Sequence, residues 1–185
     1  METHFWWYLA RSSGLVSWAI LTASIAFGLT LTTRLFGRGV APAWLLESHR
    51  YLGGLSVTFT AIHMGALMAD GYVDFGPGDV LVPFVADWKP GPVAWGIVAL
   101  WVMVAVEVTS LMMRRLPRKW WRAVHFGSFG AFVMAGLHGL QAGTDARRAV
   151  VQVFFLSAVM TVMFLTLVRL LAERGARRRP ATART

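Results

Sequence analysis

Residues 121–140, WRAVHFGSFGAFVMAGLHGL, form an almost entirely apolar segment that nevertheless contains two histidines, His125 and His138. A helix of about 20 mostly apolar residues is long enough to cross the roughly 30 Å hydrocarbon core of a bilayer. Five segments meet this criterion, at about residues 8–33, 44–69, 92–113, 121–142 and 149–171. The sequence therefore predicts an all-α integral membrane protein, a bundle of about five transmembrane helices.

The composition excludes several other classes of protein. The 185-residue chain is 56% hydrophobic and only 15% charged, which is far from the usual composition of a soluble domain. Its net charge of +9 lies in short clusters between apolar segments, a pattern typical of membrane proteins and not of nucleic-acid binding. The sequence has no cysteine, which excludes disulfides, cysteine-bound zinc, iron–sulfur clusters and thioether-attached c-type haem.

The connections between the predicted spans alternate in charge. Residues 70–91 carry four aspartates and one lysine, whereas basic residues dominate the first connection, the third connection and the C-terminal segment. The positive-inside rule then predicts an external N-terminus and a cytoplasmic C-terminus for a multi-pass protein of the cell membrane. We expect residues 1–172 to form one membrane domain and residues 173–185 to be a basic, disordered tail. The basic residues of the pattern are Arg34, Arg38, Arg114, Arg115, Arg118, Lys119, Arg122, Arg174, Arg177, Arg178, Arg179 and Arg184.

Four of the five histidines lie in two of the spans, His49 and His63 in the second and His125 and His138 in the fourth. Because these spans run in the same direction, His49 shares a depth with His125 and His63 with His138, and the two depths are about 20 Å apart. Hydrogen bonds to neighbouring carbonyls would satisfy such imidazoles, whereas zinc or copper would need three or four ligands at one level. Two opposed imidazoles at one depth suit haem iron, and without cysteine the haem would be b-type.

The histidine spacing differs between the two helices. Fourteen residues place His49 and His63 on one face of an ideal helix, but thirteen leave His125 and His138 about 140° apart. The fourth span should therefore be overwound, kinked or tilted. Its glycines would permit such distortion and the approach of a porphyrin, or would simply allow close helix packing. They are Gly127, Gly130, Gly136 and Gly139.

The motifs HRYLGGLSVTFTAIH, WRAVHFGSFGAFVMAGLHG and the following AGTD make this chain resemble the ferric reductase transmembrane domain superfamily. That superfamily includes the NADPH oxidase membrane domain and the haem-binding membrane subunit of the bacterial methionine sulfoxide reductase system. The resemblance implies two b haems that pass electrons one at a time across a bacterial cytoplasmic membrane. It also implies the axial ligands, which are His49 and His125 for the inner haem and His63 and His138 for the outer haem.

The larger reductases that this chain resembles have six spans and a cytoplasmic module for FAD and NADPH. This sequence contains neither a sixth apolar segment nor a nucleotide-binding motif such as GxGxxG after a strand. We therefore expect no FAD or NAD(P) domain in the chain. The electron donor would be a separate flavoprotein or a quinone, and the acceptor would be ferric iron, oxygen or an external partner protein.

Several charged residues near the predicted sites could assist them. Arg50 and Arg122 could pair with inner-haem propionates, or could be ordinary cytoplasmic-side charges. Arg11, Arg147 and Arg148 lie at the external end, against the charge rule. They could contact an outer propionate or an anionic partner, although short mixed loops also tolerate such charges.

Glu107 is the acidic residue inside the third predicted span. It could accept a hydrogen bond from a ligand histidine, carry a proton, or pair with Arg114 or Arg115 at the interface. The connection of residues 70–91 is long enough to cover the outer site, although such a segment is more often a solvated loop.

The sequence thus predicts transmembrane electron transfer through two stacked b haems, in a membrane oxidoreductase or its electron-transfer subunit. One alternative is a non-catalytic, haem-bearing anchor subunit of a larger redox complex. A second alternative is a haem-free transporter that uses histidines as a proton relay, which a polar path through Glu107, Thr58 and Thr60 would favour.

Overall fold

The computed structural model describes residues 4–33, 43–71 and 73–177, and every regular element within them is helical. The five long helices are all apolar enough to cross a membrane. The prediction of an all-α membrane bundle with about five spans is therefore confirmed. The helices are α1 Phe5–Thr33, α2 Ala43–Ala69, α3 Pro77–Leu81, α4 Pro90–Leu111, α5 Arg118–Ala142 and α6 Ala149–Arg177.

The last helix is longer than the predicted fifth span. It continues to Arg177, so residues 173–177 of the predicted basic tail are helical. The remainder of that tail lies outside the described residues, as do Arg34 and Arg38 of the first connection. Its disorder and its contact with lipid therefore stay predictions.

The connection of residues 70–91 is folded onto the bundle. It contains α3, and Phe75 and Val80 are buried together with Val93 and Ile97 of α4. Burial of these apolar side chains removes them from water and holds the connection over the C-terminal end of α2 and the N-terminal end of α4. The described residues of this connection are therefore packed against the bundle and do not form a solvated loop.

The bundle core is an aromatic cluster shared by α1, α5 and α6. The Trp18 ring stacks on Phe132 at 5.0 Å and on Phe155 at 4.2 Å between ring centroids. Its indole N–H donates a hydrogen bond of 3.1 Å to the Phe132 carbonyl. Because lipid is as apolar as these side chains, such close packing and the buried hydrogen bond are what hold the three helices together.

The helices associate mainly as two pairs. α1 packs along α2, and α4 packs along α5, while α6 packs against α1. The backbones of α2 and α5, which carry the four histidines, do not pack along each other in this way. Histidine side chains therefore extend into the space between these two parallel helices.

Candidate functional site

The four intramembrane histidines form two facing pairs, one near each end of α2 and α5. The imidazole centroids of His49 and His125 are 5.9 Å apart, and their rings are inclined at 76°. Those of His63 and His138 are 6.2 Å apart, with an inclination of 78°. The structure thus brings the histidines together in the two combinations that the sequence indicates.

Backbone carbonyls fix three of the four rings. His63 Nδ1 is 2.6 Å from the Ala10 carbonyl oxygen, and His138 Nδ1 is 2.8 Å from that of Pro92. His49 Nδ1 is 2.8 Å from the carbonyl oxygen of Ser24. Since a carbonyl only accepts hydrogen bonds, Nδ1 must carry the proton in all three rings, which leaves Nε2 as the free electron-pair donor.

The fourth ring, that of His125, has different surroundings. Its Nδ1 lies 3.5 Å from the Ser110 hydroxyl, at the limit of a hydrogen bond. The Trp121 indole stacks on it at 5.0 Å and 23° between the ring planes. The indole nitrogen of Trp121 is buried and has no hydrogen-bond partner in the described part of the chain.

Glycines on α1 and α4 provide the space in which the three fixed rings lie. A Cβ atom on Gly14 would be 3.0 Å from the His63 ring, and one on Gly28 would be 3.1 Å from the His49 ring. A Cβ on Gly96 would be only 2.8 Å from His138 Nδ1. In each case the glycine follows the accepting carbonyl by four residues, so one turn of a neighbouring helix supplies both the acceptor and the space.

Sequence reasoning missed these three glycines because α1 and α4 contain none of the four histidines. A signal was nevertheless present, since Gly14 and Gly28 have the same fourteen-residue spacing as His49 and His63. On α4, the residue fourteen positions after Gly96 is Ser110, which contacts the fourth ring. The glycines that make room for the rings on α1 thus have the spacing of the histidines on α2, whereas Gly96 and Ser110 on α4 are one residue further apart than His125 and His138.

The glycines of α5 that the sequence singled out serve mainly in helix packing. A Cβ on Gly127 would lie 3.2 Å from Val102, one on Gly136 would lie 3.4 Å from Trp18, and one on Gly139 would lie 2.9 Å from Phe155. A Cβ on Gly130 would meet only Met134, at 3.8 Å. α5 is α-helical along its whole length, so no change of helix type accounts for the thirteen-residue spacing.

An apolar cavity of about 250 Å³ lies at the pair formed by His63 and His138. Its walls come from all five long helices and from the connection between α2 and α4, and they include His63, His138, Gly14 and Gly96. No group of three or more His, Asp or Glu side chains that could hold a bare metal ion occurs in residues 4–33, 43–71 and 73–177. Each histidine pair would therefore suit a metal whose other ligands are supplied by a prosthetic group.

Charged residues of α1 and of the connection between α5 and α6 contact one another. Asp145 forms ion pairs with Arg11 and, at 3.0 Å, with Arg148, and the Arg11 guanidinium lies 3.9 Å from the centre of the Trp7 ring. These contacts link the connection between α5 and α6 to α1 beside the outer cavity. Asp145 thus supplies an acidic partner for two of the arginines that lie against the charge rule.

The two arginines predicted to assist the inner site, Arg50 and Arg122, are exposed and form no ion pair within the described residues. Glu107 is partly buried and forms no ion pair with Arg114 or Arg115 in that part of the chain. The side-chain positions therefore do not support pairing of Glu107 with these two arginines.

Comparison with known proteins identifies one family. Residues 13–137 match the family described as "Ferric reductase like transmembrane component". The matched range contains His49, His63 and His125 and ends one residue before His138. No curated protein and no solved structure gave a significant match to the chain. Since the matched range covers more than half of the sequence, the chain belongs to the ferric reductase-like transmembrane family.

Proposed function

We propose that the protein transfers electrons across the membrane through two stacked b haems, each held by one histidine of α2 and one of α5. His49 and His125 would bind the inner haem, and His63 and His138 the outer haem. Membership of the ferric reductase-like family suggests transmembrane electron transfer and supports the proposal at this general level.

The observation that carries the proposal is the distance between the facing rings. Imidazole nitrogens bind transition metals at about 2 Å, so two rings that share one metal have centroids about 6 Å apart. The observed distances are 5.9 Å and 6.2 Å. Both pairs therefore have the ring separation that a shared metal requires.

The surroundings of the rings fit haem as well. The separation between α2 and α5 and the apolar cavity at the outer pair would accommodate the edge of a flat, apolar macrocycle. When bound, haem iron supplies one-electron redox chemistry by alternating between its ferric and ferrous states.

The residues of the chain would orient the ligands and exclude water. Hydrogen bonds from Nδ1 to the carbonyls of Ala10, Ser24 and Pro92 fix the ring orientation and raise the basicity of Nε2. The apolar walls around the rings keep the sites dry, which limits the reorganisation of solvent on electron transfer. Arg50 and Arg122 are placed on the proposed cytoplasmic side, where they would pair with inner propionates.

The proposed orientation rests on the charge pattern, and the proposed classes of donor and acceptor rest on the family. We propose an external N-terminus and a cytoplasmic C-terminus, with residues 1–172 as the haem-binding domain and 173–185 as a basic tail. Electrons would come from a cytoplasmic flavoprotein or a membrane quinone and would leave to ferric iron, oxygen or an external partner protein.

A haem-free proton relay has less support from the described residues. The Thr58 hydroxyl donates to a carbonyl of its own helix, and the Thr60 hydroxyl bonds to Ser56 and Ser17. These bonds do not connect Thr58 and Thr60 to Glu107. The Thr60 hydroxyl thus links α2 to α1, whereas the Thr58 hydroxyl is satisfied within α2.

Reconstituted vesicles test the proposed function. Purified, haem-loaded protein would be placed in liposomes with ferricyanide trapped inside, and an impermeant reductant would be added outside. We expect the trapped ferricyanide to be reduced with wild-type protein and with the control His4→Ala, in which an exposed histidine outside both pairs is replaced.

His63→Ala and His125→Ala should each abolish this transfer, because each interrupts the chain of two sites. Wild-type rates in both variants would contradict the proposal. A protein that holds two haems but reduces no trapped acceptor with any reductant would instead support the non-catalytic anchor subunit.

A further inference from the structure

Glu107 lies on α4 between the two histidine levels, inside a membrane-spanning helix. An ionisable side chain within a span is costly to bury and usually has a function. Its carboxylate is partly buried, and it lacks a salt-bridge partner in the part of the chain that the structure describes. The carboxylate is therefore not explained by structural ion pairing.

Two consecutive glycines of α2 make room for this carboxylate. A Cβ on Gly53 would lie 3.0 Å from Glu107 Oε2, and one on Gly54 would lie 3.6 Å from Oε1. A side chain at Gly53 would crowd the carboxylate, whereas a Cβ at Gly54 would make an ordinary van der Waals contact with it. The Gly53–Gly54 pair thus lets an acidic group of α4 approach the backbone of the histidine-bearing helix.

The Gly53–Gly54 pair, and with it Glu107, lies closer along α2 to the inner histidine than to the outer one. Gly53 and Gly54 are four and five residues beyond His49 but nine and ten before His63. At about 1.5 Å per residue these separations are roughly 7 Å and 14 Å along the helix axis. His49 and its neighbour Arg50 both precede the Gly53–Gly54 pair on α2.

We infer that Glu107 sets the reduction potential of the inner site, because its negative charge opposes the arrival of an electron there. This inference rests on the proposed haem function. The reduced iron carries one positive charge fewer than the oxidised iron, so a nearby carboxylate stabilises the oxidised form. Glu107 therefore lowers the inner potential, and it lowers the outer potential by about half as much because the Coulomb energy falls with distance.

The expected size of the effect follows from the charge separation. For an effective dielectric constant of about 20 and a separation of roughly 10 Å, one charge changes the equilibrium constant of reduction about tenfold. For a one-electron step, a tenfold factor corresponds to about 59 mV.

Glu107→Gln is the main variant, since glutamine keeps the size of the side chain and removes its charge. Potentiometric titration of the purified protein should show a higher reduction potential for the inner site, equivalent to a roughly tenfold larger equilibrium constant of reduction. A background of His63→Ala, which retains the inner histidine pair, identifies which component belongs to the inner site. Glu173→Gln is the matched control, because Glu173 is exposed near the end of α6 and pairs with Arg169.

Glu107→Asp separates the role of charge from that of shape. Aspartate keeps the charge and shortens the side chain, so its potential should stay much closer to wild type than that of Glu107→Gln. A purely structural role predicts the reverse order, since the isosteric glutamine would then be the better replacement.

Haem content is measured first in every variant, so failure of the haem proposal would appear as missing haem. Two haems with an unchanged inner potential in Glu107→Gln would overturn the inference about Glu107 while leaving the proposed electron transfer intact.

Discussion

Replacing Gly96 by alanine should weaken the outer site specifically. The added Cβ would lie 2.8 Å from Nδ1, 2.9 Å from Cγ and 3.0 Å from Cε1 of His138. Real Cβ atoms are essentially never this close to other heavy atoms, so the imidazole must move away from α4. That movement would lengthen the 2.8 Å hydrogen bond from His138 Nδ1 to the Pro92 carbonyl and would turn Nε2 away from the ring of His63.

The magnitude can be estimated from the loss of that orienting bond. Changes to groups that orient a metal ligand typically reduce metal affinity by about 10- to 100-fold, which is about 1.4–2.8 kcal/mol. Alanine is also a better helix former than glycine by about 1 kcal/mol, so α4 itself should be as stable as before. The expected result is therefore a folded protein with a weakened outer site and an intact inner site.

Haem titration of the purified apoprotein, followed by absorption, measures this effect. Wild-type protein should take up two haems, whereas Gly96→Ala should take up the second with an affinity reduced about 10- to 100-fold. Gly65→Ala is the matched control, because a Cβ on Gly65 of α2 would meet nothing within 4 Å. If Gly96→Ala bound both haems with the wild-type affinities, the idea that this glycine makes room for a ligand ring would be refuted.

Three further predictions concern the scaffold. Trp18→Phe keeps an aromatic ring against Phe132 but removes the indole hydrogen bond. The free energy of unfolding should therefore fall by about 0.6 kcal/mol, measured by thermal unfolding in detergent. An unchanged midpoint would contradict this role of the hydrogen bond. Asp145→Asn breaks two ion pairs, so hydrogen exchange should become faster in the connection between α5 and α6 but not in α4. An equal increase throughout the protein would argue against a local stabilising role of these ion pairs. The chain has no cysteine, so single cysteines report topology: an impermeant thiol reagent added to whole cells should label Lys89→Cys and not Arg115→Cys, and the opposite pattern would reverse the proposed orientation.

The spans and the histidine pairing could be predicted because both depend on local spacing. Five apolar segments of sufficient length require five helices in a bilayer, since no other single-chain segment satisfies its backbone hydrogen bonds there. Spacings of fourteen and thirteen residues on two parallel helices then bring His49 near the depth of His125 and His63 near that of His138. The pairing follows from this arithmetic without knowledge of the neighbouring helices.

The groups that hold the rings could not be predicted in the same way. Gly14, Gly28 and Gly96 contact histidines that lie 21 to 49 residues away in the chain, on other helices, and which helix faces each glycine depends on the packing of the bundle. Helix periodicity alone does not determine which helix faces which. The equal spacing of Gly14 and Gly28 becomes informative only once α1 is known to pack along α2.

Other features depend on contacts that are distant in the sequence. Arg11 and Asp145 pair across 134 positions, so the charge pattern identified Arg11 as unusual without identifying its partner. The folding of residues 70–91 depends on the burial of Phe75 and Val80 against α4, while the segment itself is rich in aspartate, glycine and proline. Its local composition is typical of a loop, and tertiary packing overrides that tendency.

Haem stoichiometry tests most directly whether the two histidine pairs are two haem sites. It is measured as the reduced-minus-oxidised spectrum and the pyridine haemochrome of detergent-purified protein. We expect two b haems per wild-type chain and one in each of His63→Ala and His125→Ala. A wild-type protein that is folded, supplied with ample haem during expression and still free of haem would contradict it.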